Sequence, residues 1–268
     1  MTAPATVPAR GGDPPDPPGL PTVPTRGGDP PAMAPPTSPA TLLAALETVR
    51  DPELDEPITS LGFVTSCTVS ADGRAEVRLR LPTYFCAPNF AFLMVADAYD
   101  AVSALPGVLR AEVVLEDHFA SDAINGGVAA HAGFVHSFDG EAVSELHELR
   151  ADFLRKAIMA GTDQVCRPLL AGGTDPARLL DLALGDLPPS AALERLRQRR
   201  AELGLPAGDD APLVIEPATG ARVSPDALPL HLRRARVTRI SIESNGSICR
   251  GMLRHRYDSS GLGEEEQP

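Results

Sequence analysis

The stretch Arg74-Ala75-Glu76-Val77-Arg78-Leu79-Arg80-Leu81-Pro82-Thr83-Tyr84-Phe85-Cys86-Ala87-Pro88 decides how this chain is read. Its first half alternates: Ala75, Val77, Leu79 and Leu81 share one face, and Arg74, Glu76, Arg78 and Arg80 the other. A period of two with one apolar face predicts a half-buried strand over 74–81. The second half stops the strand at Pro82 and opens a helix at Pro88, since proline suits a first helical turn. Cys86 is thereby set between a strand end and a helix N-terminus. Unpaired N–H groups and the helix macrodipole at such a place favour negative charge, and so a thiolate.

Working outward, Leu61, Phe63, Cys67 and Val69 share one face of a strand predicted over 61–69, and Ala71-Asp72-Gly73 closes a tight turn to the next strand. Before it, Leu42, Leu43, Leu46 and Val49 recur at helical spacing over 39–50, with Ser38 as cap and Asp51-Pro52-Glu53 as stop. After Cys86, a helix is predicted over 88–105, with Phe92, Val95, Ala96, Tyr99 and Val102 as its buried stripe. Pro106-Gly107 ends it, and 109–117 reads as a third strand with Ala111, Val113 and Leu115 inward. The order α-β-β-α-β over 39–118 predicts an α+β fold, a small sheet with helices on one face.

The flanks read differently. Residues 1–38 are rich in Pro and Gly and hold a near-repeat, Thr6–Pro15 returning as Thr22–Pro31, which predicts a disordered leader. Residues 119–204 read as a loop and helical extension. The parts are a Gly/Ala loop over 118–140 with a short helix after Ser121, an amphipathic helix over 141–160 (Ala142, Leu146, Leu149, Phe153, Ala157), and helices over 176–184 and 190–203, the last capped by Ser190. Residues 205–257 form an Arg-rich segment. Asn245-Gly246 between the alternating runs 236–243 and 247–253 predicts a β-hairpin, with Cys249 opposite Ile242 on its apolar face. Residues 258–268 read as a disordered tail.

Composition narrows the function. Hydrophobic residues make up 43% and aromatics 4%, with no Trp, so the core is aliphatic. No run of about 18 apolar residues exists, and Pro and Gly stand where a secretory signal needs an apolar segment. The expectation is a cytoplasmic protein with reduced thiols and no membrane partner. Cysteines at 67, 86, 166 and 249 make no CxxC pair, which argues against a dedicated zinc knuckle; Cys67 and Cys249 read as core. Residues 41–160 hold 18 acidic against 8 basic side chains, and 195–256 hold 12 Arg against 6 acidic. Such a split suits an oriented docking surface, with Arg233, Arg234 and Arg236 on its basic side. The basic part lacks interleaved aromatics, so nucleic acid is not an expected partner. No phosphate loop, GxGxxG, GxSxG or HExxH pattern supports an enzyme.

Helix, Asp51-Pro52-Glu53, Leu61-Gly62, hairpin, Cys86, helix, Pro106-Gly107-Val108, strand: this order resembles the metal–sulfur (iron–sulfur) cluster assembly family, which includes the phenylacetate-degradation D-type proteins and the cytosolic iron–sulfur targeting factors. The resemblance covers residues 40–118. It implies help in building or delivering iron–sulfur or iron centres, with Cys86 as the metal- or sulfur-handling thiol. No cofactor would be permanently bound; iron or a cluster would be held in transit. Asp51 and Glu53, with Thr83, are candidates for orienting a metal or partner beside Cys86, or else form a helix-stop turn with solvated carboxylates. His118, Asp122 and Asn125, and behind them His131 and His136, are candidate metal-site residues of the following loop.

The chain departs from the family pattern in three places, which implies changed partners. Ser60 stands where Asp is usual, Ala87 separates Cys86 from Pro88, and Asp117-His118-Phe119 replaces Asp-Pro-x-Trp. Residues 86–140 and the Arg-rich predicted hairpin resemble accessory proteins encoded beside bacterial soluble di-iron monooxygenases of the propane-oxidising type. That resemblance implies a di-iron hydroxylase as the client metalloprotein. The alternative is a non-catalytic adaptor or assembly chaperone for a multi-subunit oxygenase. An exposed sheet edge makes a homodimer a further expectation.

Overall fold

The computed structural model describes residues 37–138 and 146–258. The leader with its near-repeat, Ala142 and the tail beyond 258 lie outside the described residues.

Three strands, β1 Val64–Val69, β2 Arg74–Arg80 and β3 Arg110–Glu116, form a sheet in the order β1-β2-β3. β1 and β2 are antiparallel, with Cys67 opposite Val77 and Val69 opposite Ala75. β2 and β3 are parallel, with Val77 opposite Val113 and Leu79 opposite Leu115. A parallel pair needs a crossover, and helix α2, Pro88–Ser103, supplies it. The tight turn before β2 requires glycine: Gly73 has φ +79, and a Cβ there would stand 2.7 Å from the Gly107 carbonyl oxygen.

The alternation in β2 has the consequence expected of it. Ala75, Val77, Leu79 and Leu81 are buried against Leu42 and Leu46 of α1 (Pro39–Leu46) and Phe92, Val95 and Ala98 of α2. Each such Val or Leu contributes about 1.5–3 kcal/mol by leaving water. The opposite face carries a ladder of ion pairs, Arg74–Glu112, Arg78–Glu116 and Arg80–Glu116. Ser38 caps α1 by accepting from the Thr41 N–H at 3.2 Å. The Leu61-Gly62 pair lies in a turn ahead of β1 rather than in the strand, with Gly62 at φ +79 and the Phe63 N–H donating to the Ile58 carbonyl. The Gly/Ala loop holds helices α3, Ser121–Ala129, and α4, Phe134–Ser137.

A second core follows. Helix α5, His147–Ala171, runs further than the amphipathic stripe predicted, because Ile158, Val165 and Cys166 continue its buried face. The segment read as a helix over 176–184 is instead two short 3-10 turns, Pro176–Leu180 and Leu184–Asp186. Backbone pairing draws it away from an α-helix: Leu184 N–H donates to Ala211 O and Leu213 N–H to Leu182 O. Helix α6, Ala191–Glu202, starts at Ser190 as expected. From α6, the fully buried Arg200 donates to the carbonyls of Pro212 and Leu213, and burial depresses its pKa to about 10.

The predicted C-terminal β-hairpin is not formed. Residues Leu228–Asp258 are one 31-residue helix, α7. The alternation in 236–243 is too short to separate a strand from a helix face. Across the whole segment, Ala235, Arg239, Ile242, Gly246, Cys249 and Leu253 recur every three or four residues, and these are turned inward. Gly246 makes no turn. It is buried where α7 passes closely over the domain, and a Cβ there would stand 3.0 Å from Glu56 Oε1. Tertiary packing along α5, including the Arg239–Asp163 ion pair at 2.6 Å, overrides the local Asn-Gly signal. Among the described residues no helix is long and apolar enough to cross a membrane.

Candidate functional site

Cys86 sits where the sequence placed it, one residue before the α2 N-cap Ala87. A turn holds it there: the Cys86 N–H donates to Thr83 O, and the Thr83 hydroxyl lies 3.3 Å from the Cys86 Sγ. The thiol is half-buried. His118 fixes the turn from the far side. Its Nε2 donates to the Cys86 carbonyl at 2.7 Å, and its Nδ1 accepts from the Ala120 N–H at 3.2 Å. Burial lowers the imidazole pKa from its usual value; the hydrogen bond to the Cys86 carbonyl works the other way, and the charge of Arg256 adds to the lowering. Both ring nitrogens are committed in this arrangement. His118 therefore positions the Cys86 backbone, and offers no lone pair to a metal while it does so.

Three aromatic side chains crowd beside the thiol in the open. Phe85 is 76% exposed, Phe119 48% and Tyr84 45%. Their ring centroids lie 5.0–6.3 Å apart, and the Phe119 N–H donates to Tyr84 O. A cluster of exposed aromatics is the surface composition that partner proteins bind.

Asp51 is buried, with 8% exposure, and its Oδ1 accepts from the N–H groups of Glu53 and Leu54 at 2.9 Å each. It folds the 51–56 loop. Burial pushes its pKa up to about 6, with the two hydrogen bonds working the other way. Of the two readings of this acidic pair, Asp51 thus shapes the loop, whereas Glu53 lies by α7, its Oε1 3.4 Å from Asn245 Nδ2. α7 also brings Cys249 into this neighbourhood. Cys249 is half-buried, and its pKa is pushed up to about 11 by burial first and then by the charges of Asp51, Cys86 and Glu53.

The remaining candidates are dispersed. Asp122 is exposed in the first turn of α3, where a carboxylate suits the helix dipole. Asn125 is structural: its side-chain amide pairs with the backbone N–H and C=O of Leu115 at 2.9 and 3.0 Å. His131 stacks edge-on against Tyr99, and His136 lies in α4. Arg233, Arg234 and Arg236 are exposed on α7, in its N-terminal half. Among the described residues no three His, Cys, Asp or Glu side chains are placed together to hold a metal ion. Cys67 packs against the core from β1, and Cys166 is buried in the second core with its pKa raised to about 12. The sequence reading missed Cys249 and Asn245 as neighbours of the site. The three- and four-residue spacing from Ala235 to Leu253 was the signal that places them there.

Residues 39–113 match the family described as iron–sulfur cluster assembly protein. An uncharacterised protein of Methanocaldococcus jannaschii is 32% identical over 84 residues, which is 31% of this chain and 86% of that protein. A crystal structure of a domain of unknown function, DUF59, from Bacillus anthracis shares 25% identity over 35% of this chain and 89% of that one, with a TM-score of 0.28. The chain belongs to the iron–sulfur cluster assembly protein family. Its role accordingly lies in the assembly or maturation of iron–sulfur clusters. Most of its length, including α5 to α7, extends beyond the matched residues.

Proposed function

We propose that Cys86 is the working thiol of this assembly site, taking iron or an iron–sulfur cluster as cargo in transit to a client metalloprotein. The client we propose is a carboxylate-bridged di-iron hydroxylase of a soluble monooxygenase. The observation that carries the reading is the half-buried Cys86 thiol, held at a strand–helix junction beside the exposed rings of Tyr84, Phe85 and Phe119. Thiolate is the form that binds iron or attacks sulfur, and the aromatic patch offers a client its docking contact. The resemblance of residues 86–140 to monooxygenase accessory proteins supports the choice of client. The chain would act in the cytoplasm, where thiols stay reduced, with neither nucleic acid nor membrane as partner.

The test is maturation of a soluble di-iron hydroxylase produced together with the full-length chain. With Cys86→Ser, hydroxylase iron content and turnover should fall to the level reached without the chain. Iron content and turnover equal to those with the wild-type chain would remove Cys86 from the mechanism. A second reading, a non-catalytic adaptor, draws support from the exposed Arg233, Arg234 and Arg236 of α7. It differs in requiring these arginines and not the thiol.

A further inference from the structure

Helices α5 and α7 pack side by side and leave a groove of about 700 Å³ between their flanks. α5 supplies Asp163, Arg167 and Leu170 to it, and α7 supplies Leu232, Arg233 and Arg236. Their spacing of three and four residues sets each group on one side of its helix. Arg239 also lines the groove, but its charge is already matched, by Asp163 at 2.6 Å and by Glu243. Arg167, Arg233 and Arg236 are exposed, and among the described residues their side chains have no ion-pair or hydrogen-bond partner. Three unmatched positive charges thus stand over Leu170 and Leu232, which are only partly buried against the second core. Val237 and Ile240, 62% and 44% exposed, lie one turn beyond Arg233 and Arg236.

We infer that this groove docks an acidic amphipathic segment of a partner protein, with carboxylates on Arg167, Arg233 and Arg236 and apolar side chains on Leu170, Leu232 and Val237. The inference goes beyond the reading of Cys86 and does not rest on it. Like charges gathered without partners repel, and a partner of opposite sign relieves that repulsion. The guanidinium fork takes a carboxylate through two parallel hydrogen bonds. A free phosphate fits the groove less well. The walls are the flanks of two helices, whose N–H groups are bonded within each helix, so the groove lacks the helix N-terminus or amide nest on which phosphate sites are built. A small anion would also leave the leucines and Val237 in water, whereas an amphipathic segment covers charge and apolar surface together. Both helices lie outside the family-matched residues 39–113, so the groove belongs to what this chain adds to the family domain.

The probe is a fluorescein-labelled synthetic peptide with Glu and Leu at helical spacing, titrated with the full-length chain at about 0.15 M salt and read by fluorescence anisotropy. The wild-type chain should bind it at least about 10-fold more tightly than a peptide with every Glu replaced by Gln. Arg167→Gln and Arg236→Gln should each weaken binding by about 10-fold, the loss of one charged hydrogen-bonded pair. Arg234→Gln and Arg254→Gln remove the same charge from exposed positions of α7 outside the groove, and should each cost less than about 2-fold. Val237→Ser should cost about 5-fold. Equal weakening by all four arginine variants would overturn the groove, leaving a general attraction to basic surface. Displacement of the peptide by inorganic pyrophosphate, with Val237→Ser matching wild type, would overturn the peptide in favour of a small anion. Tighter binding to phosphatidylglycerol vesicles than to the peptide would overturn it in favour of a membrane surface. Cys86→Ser should bind the peptide as wild type does, so this inference and the reading of Cys86 fail separately.

Discussion

Replacing Asp51 by asparagine changes one atom's chemistry at the base of the site. The carboxyl is buried, and its Oδ1 receives two backbone N–H groups, from Glu53 and Leu54. Burial leads the forces that lift its pKa from 3.8 to about 6, and the charges of Glu53 and Glu56 push the same way. A carboxyl with a raised folded pKa binds its proton more tightly folded than unfolded. Its ionisation therefore costs stability: the cost is absent below the unfolded value, grows between 3.8 and about 6, and is complete above that. The difference corresponds to about 3 kcal/mol at 1.36 kcal/mol per pKa unit. Asparagine keeps the accepting oxygen and cannot ionise. Asp51→Asn should thus be more stable than wild type near neutral pH, by up to about 3 kcal/mol, and equal to it at about pH 4 and below. Urea unfolding of both proteins across that range measures the difference. An Asn variant no more stable at neutral pH, with the same pH slope as wild type, would refute the claim that a buried charge sits under this loop.

Two further outcomes test the surfaces. Phe85 is 76% exposed, so Phe85→Ala should shift folding stability by no more than about 0.5 kcal/mol. If its ring anchors a client, client affinity in a pull-down or calorimetric titration should drop by about 2 kcal/mol, near 30-fold; an unchanged affinity would remove the aromatic patch from docking. Reversal of Arg233, Arg234 and Arg236 to Glu should weaken client binding at low salt, and the difference from wild type should shrink as salt rises, since exposed charges are screened. Binding that ignores both the reversals and the salt would rule out the basic face of α7 as a contact.

The parts of the fold that were legible are those written in local pattern. The alternation of Arg74 to Leu81, the Gly73 turn and the Pro88 helix start each depend on neighbours a few residues away, and each stands in the structure. The position of Cys86 follows from them. The C-terminal helix was not legible from Asn245-Gly246, because a turn signal only states what a short segment does alone. Packing along α5 and over Glu56 decided otherwise. The same long-range packing hid a neighbour of the acidic loop: nothing local connects Asn245 to Glu53, 192 positions earlier. His118 shows what residue type alone leaves out: its hydrogen bonds to Cys86 and Ala120 tie down the turn of the site.

Helix α7 also has a thermodynamic consequence. Its first turn places Leu228 in the second core, while Cys249 and Leu253 pack on the first. At about 1.5 Å per residue it spans roughly 46 Å, and neither core can melt without stripping one of its ends. Two cores joined by a flexible linker unfold separately; two cores sharing one rigid beam lose that independence. Heat should therefore take the described body apart in one cooperative transition. Local opening of the extension would, by the same linkage, be felt at Cys86.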